Sequence, residues 1–127
     1  MNIPFNNKTK SFRSTITIIN PINPDLKIDI EALWDTGAAT STIPEYYAKL
    51  LQLPSVGVVL TSGNNGNTYQ NRYFTKCKLD GQEITIYPNS NNLDFALIGM
   101  DIIGKGELFI ENKNGILTMY FELKKKK

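Results

Sequence analysis

Residues 33–41 read Leu-Trp-Asp-Thr-Gly-Ala-Ala-Thr-Ser, where an apolar strand gives way to a turn of small residues. The preceding residues 28–34 alternate between apolar and polar side chains, which predicts a strand with one buried face. Asp35 therefore ends a strand, and Gly37 permits a backbone conformation or a close approach that a β-carbon would obstruct. The Thr36 hydroxyl can both donate and accept a hydrogen bond. Such a turn can hold a carboxylate rigidly.

A second stretch, Phe-Ala-Leu-Ile-Gly-Met-Asp-Ile-Ile-Gly over residues 95–104, has the same plan of an apolar strand that runs into a glycine. Asp, Thr and Gly are ordinary turn residues, so the first motif alone is modest support for a function. Together the two motifs resemble the retropepsin-like aspartic proteases. Single-domain members carry Asp-Thr-Gly-Ala after one strand, and two aliphatic residues plus Gly before a short helix. The resemblance covers residues 13–123 in order and spacing.

The strand and turn signals independently predict an all-β domain with almost no helix. The resemblance implies a closed, barrel-like retropepsin fold with a flap hairpin and one or two short helices. The predicted strands are residues 12–20, 26–34, 56–60, 69–79, 82–87, 93–98, 107–111 and 116–123. The predicted helices are residues 46–51 and 100–103. Residues 42–45 fit a helix capping box, and residues 88–92 read as a polar loop.

Chain length and composition indicate one domain. The chain has 127 residues, of which 41% are hydrophobic and 20% charged, as in an ordinary soluble globule. No run approaches the roughly 18 apolar residues of a membrane span, and the polar start is not a signal peptide, so we expect a cytoplasmic protein without a membrane partner. We expect a flexible arm over residues 1–11, the protease domain over 12–123 and a basic tail over 124–127.

The net charge of +2 comes from the C-terminal end. Residues 124–127 are four lysines, and the rest of the chain has ten basic and twelve acidic residues. Such an end is usually a solvated terminus; the alternatives are a weak contact to nucleic acid or membrane, or a truncation point. Because the six tyrosines do not interleave with basic residues, we expect no nucleic-acid partner.

Missing residue types exclude several mechanisms. The chain has no histidine, which excludes Ser-His-Asp and Cys-His catalysis and histidine zinc sites. Its one cysteine, Cys77, cannot form an internal disulfide, and we interpret it as a small buried hydrophobic residue. The carboxylates Asp29, Glu31 and Asp35 alternate along a strand without a ligand turn, which favours surface carboxylates over a metal site. We therefore expect no metal and no cofactor.

The chemistry of an aspartic protease needs two carboxylates that share a proton, because two negative charges about 3 Å apart cannot both persist cheaply. This chain offers one aspartate in a suitable context. The site therefore requires two chains, with one half-site in each, and we expect an obligate homodimer with Asp35 from each copy at a two-fold axis.

The resemblance also implies roles for residues around Asp35. Thr36 would join the two turns across the dimer, and Gly37 would offer its carbonyl to the substrate backbone, which makes Asp35, Thr36 and Gly37 the catalytic set. The residues expected to bind a peptide or unfolded-protein substrate are Ala38, Ala39, Leu97 and Ile98 as apolar subsites, and Asn64, Asn65 and Gly66 at the flap tip. The apolar lining favours cleavage between hydrophobic residues.

Two departures from the family pattern indicate a cellular or bacterial branch. Ala39 stands where retroviral members often carry an acidic residue that holds the substrate main chain. Met100 replaces an arginine whose ion pair braces their dimer, although Asp101 remains able to cap the following helix. In family dimers a sheet of chain termini often joins the subunits, and residues 116–123 are the natural strand for it, with residues 2–11 as a second candidate.

A function of a different class remains open. The same fold could serve as a non-catalytic peptide-binding or dimerisation module. The intact Asp-Thr-Gly motif argues against this interpretation without excluding it.

Overall fold

The computed structural model of the protein describes residues 1–63 and 66–124. These ranges form thirteen strands and two short helices, which confirms the all-β class, and neither helix within them is long and apolar enough to cross a membrane. In chain order the elements are β1 (Asn2–Ile3), β2 (Phe5–Asn6), β3 (Ser11–Ile19), β4 (Lys27–Trp34), β5 (Thr42–Pro44), α1 (Glu45–Leu50), β6 (Ser55–Gly63), β7 (Gly66–Tyr73), β8 (Thr75–Leu79), β9 (Gln82–Ile86), β10 (Asn89–Asn91), β11 (Ala96–Ile98), α2 (Met100–Ile103), β12 (Gly106–Lys113) and β13 (Ile116–Leu123).

The larger sheet has the strand order β6-β7-β10-β5-β11-β4-β3-β8-β9, and β2 also pairs with β3. Its end strands β6 and β9 do not pair, so the sheet is not closed into the predicted barrel within the described ranges. The outer strand β6 belongs to the flap hairpin, whose other strand β7 meets β10 through the single register pair Asn89 and Arg72. The hairpin is therefore attached to the sheet along one short edge.

The core forms where the larger sheet packs against the smaller sheet, which has the order β1-β13-β12. As the alternation predicts, Ile30, Ala32 and Trp34 of β4 are buried. The Trp34 ring lies against Phe121 of β13, with 5.0 Å between ring centroids. Burying two large aromatic rings across the sheet interface supplies much apolar area, which stabilises the contact between the sheets.

Strands β4 and β11 pair in parallel, with Ile98 opposite Trp34. Parallel neighbours end at the same edge of a sheet. The two sequence motifs therefore begin side by side, Asp35 directly after β4 and Gly99 directly after β11.

The predicted capping box at the start of α1 is wrong. Thr42 lies in β5, where its hydroxyl accepts a hydrogen bond from the Asn91 side chain at 2.7 Å. The residue at the N-cap is Pro44, without a side-chain capping bond. Because β5 pairs with both β10 and β11, Thr42 is extended and its side chain serves the sheet. The helix buries Ala48 and leaves Leu50 exposed.

Two strand predictions also differ from the structure. The expected polar loop at residues 88–92 contains β10, because this asparagine-rich segment is held between β5 and β7 despite the weak strand preference of Asn. The expected strand over residues 69–79 breaks at Phe74, whose N–H donates to the Pro54 carbonyl at 2.9 Å. This bond ends the flap hairpin and lets β8 pair with β3 and β9.

The N-terminal segment, expected as a flexible arm over residues 1–11, contains the paired strands β1 and β2. Ile3 is 2% exposed and belongs to the core. The Phe5 ring packs edge-on against Phe12 at 5.1 Å. Burying these few apolar side chains anchors a segment whose composition is otherwise polar.

The flap hairpin predicted at residues 56–79 is formed by β6 and β7, which pair antiparallel from Ser55 with Tyr73 to Gly63 with Gly66, with a shift in register between Ser55 and Gly57. Gly66 has a φ of 95°, a conformation that favours glycine at a turn. The predicted tip residues Asn64 and Asn65 lie outside the described residues.

A hydrogen-bonded cluster joins the base of the flap hairpin to α1. One carboxylate oxygen of Glu45 accepts from the Tyr73 hydroxyl at 2.6 Å and from the Asn71 amide at 3.0 Å, with the Lys49 ammonium at 3.8 Å. Burial acts to raise the pKa of Glu45, but the hydrogen bonds and the Lys49 charge together hold it below the ordinary 4.5. Burial and the Glu45 contact raise the pKa of Tyr73 to about 12. Glu45 is therefore favoured in its ionised form.

We expect the Glu45→Gln variant to lose less stability than the wild type as the pH becomes acidic. A carboxylate with a lowered folded-state pKa stabilises the fold above its unfolded pKa, near 4.5, and this contribution disappears as pH falls through the folded value. The difference in the free energy of unfolding between wild type and variant should thus be largest at neutral pH and should shrink below pH 4.5. Urea unfolding across pH measures it, with Glu83→Gln in the exposed part of β9 as the control; equal differences at all pH values would contradict it.

Candidate active site

Asp35 is positioned by backbone and side-chain hydrogen bonds at the end of β4. Its N–H donates to the Ile98 carbonyl at 2.9 Å, which ties it to the end of β11. Its own carbonyl accepts from Ala38 at 3.2 Å, closing a tight turn. One carboxylate oxygen accepts from the Gly37 N–H at 2.9 Å, and the residue is half-buried. The carboxylate is therefore fixed in direction while remaining accessible.

Gly37 approaches the Asp35 side chain closely. A β-carbon added at Gly37 would lie 3.2 Å from the Asp35 carboxylate oxygen Oδ1. That spacing is tighter than most real contacts, so a larger residue would push the carboxylate aside. Of the two explanations that the sequence allows for Gly37, the structure supports close approach.

Ser41 and Asp101 connect the two motifs through side chains. The Ser41 hydroxyl donates to the Asp101 carboxylate oxygen Oδ1 at 2.6 Å, and the Ser41 N–H donates to the same atom at 2.9 Å. The Gly99 N–H donates to the Ser41 hydroxyl at 2.9 Å. Ser41 is only 2% exposed, so these bonds are shielded from water. We refer to them as the Ser41–Asp101 network.

Asp101 therefore has a different role from the predicted helix cap. The N-cap of α2 is Gly99, without a side-chain capping bond. The Asp101 carboxylate accepts from Ser41 and, at 3.0 Å, from the N–H of Ile102 in its own helix. Sequence reasoning missed Ser41; its place at the end of the small-residue turn is the only signal that points to it.

The backbones of the two motifs also meet directly. The Met100 N–H donates to the Ala38 carbonyl at 2.8 Å, and the Asp101 N–H donates to the Ala39 carbonyl at 3.1 Å. A β-carbon on Gly99 would lie 2.7 Å from the Ala38 carbonyl oxygen. Only glycine fits such an approach between backbones. The turn after Asp35 therefore rests on the start of α2.

The structure brings most of the predicted site residues together around Asp35. Thr36, Gly37 and Ala39 are exposed, and Ala38 is half-buried. On the neighbouring strand, Leu97 is half-buried, whereas Ile98 is 0% exposed and its side chain lies in the core. Of the predicted flap-tip residues, Gly66 is exposed, and Asn64 and Asn65 lie outside the described residues.

The carboxylates considered for a metal site interact with other partners. Asp29 accepts a hydrogen bond from the Thr17 hydroxyl at 2.6 Å, and Glu31 forms an ion pair with Arg13 at 3.3 Å. Within residues 1–63 and 66–124, no group of three His, Cys, Asp or Glu side chains could hold a metal ion.

Cys77 is buried, as predicted, at 0% exposed. Burial and the nearby Asp101 charge raise the pKa of its thiol to about 12. The reactive form of cysteine is the thiolate, so Cys77 is chemically inert at neutral pH.

Comparison with solved structures identifies the fold. No family model and no curated protein sequence matches the chain. A retropepsin-like aspartic protease from Rickettsia conorii superposes with a TM-score of 0.62 at 17% identity, covering 96% of this chain and 91% of that one. The EIAV protease in complex with the inhibitor HBY-793 superposes with a TM-score of 0.60 at 20% identity, covering 78% and 90%. The simian foamy virus protease superposes with a TM-score of 0.53 at 16% identity, covering 72% and 92%.

The chain therefore has the retropepsin-like fold, the architecture of the aspartic proteases that it superposes on. This confirms the family resemblance at the level of the fold. Identities of 16–20% do not by themselves transfer an activity.

We expect Ser41→Ala to lower the free energy of unfolding by roughly 1–3 kcal/mol, because it leaves the buried Gly99 N–H without its acceptor and removes one of the three hydrogen bonds to the Asp101 carboxylate. Urea unfolding monitored by Trp34 fluorescence measures the change. Ser55→Ala, at an exposed position that begins β6, is the matched control. A loss no greater than that of the control would contradict a structural role for the Ser41–Asp101 network.

Proposed function

We propose that the protein is an aspartic endopeptidase that hydrolyses peptide bonds with the Asp35 carboxylates of two identical chains. The observation that carries this proposal is the Asp35 carboxylate itself, accessible at the end of β4 and oriented by the Gly37 N–H on a retropepsin-like fold. The proposed protease domain is residues 12–123, with the strands of residues 1–6 packed against it.

The reaction uses one ionised and one protonated carboxyl group. The ionised group takes a proton from a water molecule whose oxygen attacks the carbonyl carbon, while the protonated group gives its proton to the carbonyl oxygen. The resulting tetrahedral diol then collapses: the C–N bond breaks, the amine nitrogen receives a proton, and an acid and an amine leave. One chain supplies one such carboxyl group, so the site is complete only in a dimer.

Neighbouring residues have supporting roles in the proposal. Exposed Thr36 is available to bond across the dimer, and the Gly37 carbonyl to hold the substrate main chain. Ala38, Ala39 and Leu97 supply small apolar subsites, which fit a peptide or unfolded protein cleaved between hydrophobic residues. Ile98, buried in the core, would support the subsite floor and not touch the substrate. Gly66, Asn64 and Asn65 remain proposed flap contacts.

The strand expected to join the subunits must be reconsidered. Residues 116–123 form β13, which lies between β1 and β12 and so has neighbours on both sides. Within the described ranges the open edges of this sheet are the two-residue strand β1 and the eight-residue strand β12, which pairs with β13 on one side only. Phe109 and Ile110 on this strand are 57% and 54% exposed. A long apolar edge of this kind favours pairing with another strand. We propose a second copy of β12 as its partner.

The charged side chains of β12 favour one register for this pairing. If two β12 strands pair antiparallel with Ile110 opposite itself, Glu107 lies opposite Lys113 of the second copy, twice in the dimer. Centring the pair on Phe109 instead would set Glu107 against Glu111, and like charges directly opposite destabilise a sheet. Among the described residues, the ion pairs that Glu107 and Lys113 form within the chain are exposed, so they contribute little stability and can be exchanged.

We expect Glu107→Lys or Lys113→Glu alone to raise the dimer dissociation constant about tenfold, because each places like charges opposite each other at two positions. The double variant restores opposite charges and should recover the wild-type constant. Sedimentation equilibrium measures it. A double variant that dissociates more than either single variant would contradict this register.

We expect Asp35→Asn to lower kcat at least about 100-fold, since an amide can neither take the proton from water nor share it with its partner. The readout is cleavage of a fluorogenic peptide with hydrophobic residues at the cut, at acidic to mildly acidic pH. The variant dimer should stay intact, and Asp25→Asn, in an exposed loop, is the control. Equal cleavage by wild type and Asp35→Asn would reject the proposal. Peptide binding without cleavage by the wild type would favour the alternative, a non-catalytic peptide-binding module.

A further inference from the structure

A cleft of about 490 Å³ is lined in part by Thr40, in the turn that follows Asp35. The flap hairpin contributes Val56 and Arg72 to the lining, and β9 contributes Thr85. Thr40 lies in the turn after Asp35, Asp101 lies in α2, and Lys105 follows that helix. Asp101 also contacts the turn after Asp35, because its N–H donates to the Ala39 carbonyl at 3.1 Å and its carboxylate accepts from the Ser41 N–H at 2.9 Å. The cleft and the proposed substrate groove are therefore neighbours.

Two cationic side chains in this cleft lack an anionic partner. Arg72 donates through Nε to the Asn89 amide oxygen at 3.2 Å, and Lys105 donates to the Thr85 carbonyl at 3.3 Å. Within the described part of the chain neither forms an ion pair. Arg13, the second arginine of the chain, does pair with a carboxylate, Glu31. The guanidinium of Arg72 thus keeps most of its donors free for another acceptor.

The one carboxylate in the cleft does not neutralise both cations. Oδ1 of Asp101 already accepts three hydrogen bonds, from the N–H and hydroxyl of Ser41 and from the Ile102 N–H. Two positive charges and one negative charge leave the cleft net cationic. A concave surface concentrates such a field, which attracts an anion.

We propose that this cleft is a subsite for an acidic side chain of the peptide substrate, with the Arg72 guanidinium as its main ligand and Lys105 as a second cation. The inference rests on the proposed endopeptidase function. A planar guanidinium matches a carboxylate through two parallel N–H···O bonds, and the Thr40 and Thr85 hydroxyls can donate as well.

The short sequence separation between Asp35 and Thr40 limits the distance between this subsite and the scissile bond. Thr40 follows Asp35 by five residues, a span of at most about 18 Å. A bound peptide in extended conformation covers a similar distance in about five residues. The acidic residue that the cleft selects therefore lies within about five residues of the scissile bond, outside the apolar residues that flank it.

The test is a set of fluorogenic peptides with one hydrophobic cleavage site, in which a single Glu or Gln occupies each outer position in turn. At one position wild-type kcat/KM should be about tenfold higher for Glu than for Gln, and added salt should reduce the ratio. Arg72→Gln and Lys105→Gln should each lower the ratio, and the double variant should bring it to about one. Arg72→Lys should retain part of it, and Lys8→Gln, a charge removed from an exposed N-terminal turn, should leave it unchanged.

Binding separates this inference from the proposed function. The labelled Glu and Gln peptides are also titrated by fluorescence anisotropy against Asp35→Asn protein, which needs no catalysis. Tighter binding of the Glu peptide that Arg72→Gln abolishes supports the subsite even if the wild type cleaves nothing. Equal kcat/KM and equal affinity for Glu and Gln at every position would overturn the inference, as would a preference that survives the double variant. Cleavage without an acidic preference would leave the proposed function standing.

Discussion

The structure depends on one contact: the backbone of the turn after Asp35 must pack directly against the backbone at the start of α2. Parallel pairing of β4 and β11 brings the two segments together, and Gly99 is the residue that lets them touch. The Ser41–Asp101 network then fills the space between them with buried, charge-assisted bonds, which are stronger than neutral ones. Together these contacts fix the backbone around Asp35, and the Gly37 N–H orients one oxygen of its carboxylate.

Two other parts of the architecture leave strand edges open. The flap hairpin joins the larger sheet through a single short contact, and β12 leaves the whole of one edge unpaired within the described ranges. Exposed apolar side chains accumulate on the same two hairpins, with Val58 and Leu60 on one and Phe109 and Ile110 on the other. Unsatisfied edges and exposed apolar surface are costly in an isolated chain. They agree with the proposal that a second copy and a substrate complete the site.

Several elements were predictable because their signals are local. The alternation in β4 identified its buried face, and the Asn-Gly turn at residues 114–115, both with positive φ, identified the last hairpin. Other elements were not. Residues 89–91 carry three polar side chains and become a strand only because β5 and β7 offer free edges on both sides. The capping box at Thr42 failed for the same reason, since pairing in the sheet outweighed a local capping preference.

The sequence by itself determined which residue is the centre of the candidate site: an aspartate between an alternating strand and a glycine turn, matched by a second apolar strand that ends in glycine. Only the tertiary structure decided how that aspartate is held, which side chain of the Leu97-Ile98 pair is buried, and which strand keeps a free edge. The periodicity of apolar residues predicts the backbone conformation over a few residues, whereas Ser41 forms hydrogen bonds with residues 58 and 60 positions away in the sequence. Such contacts arise from the order in which strands pair, and no local pattern encodes that order.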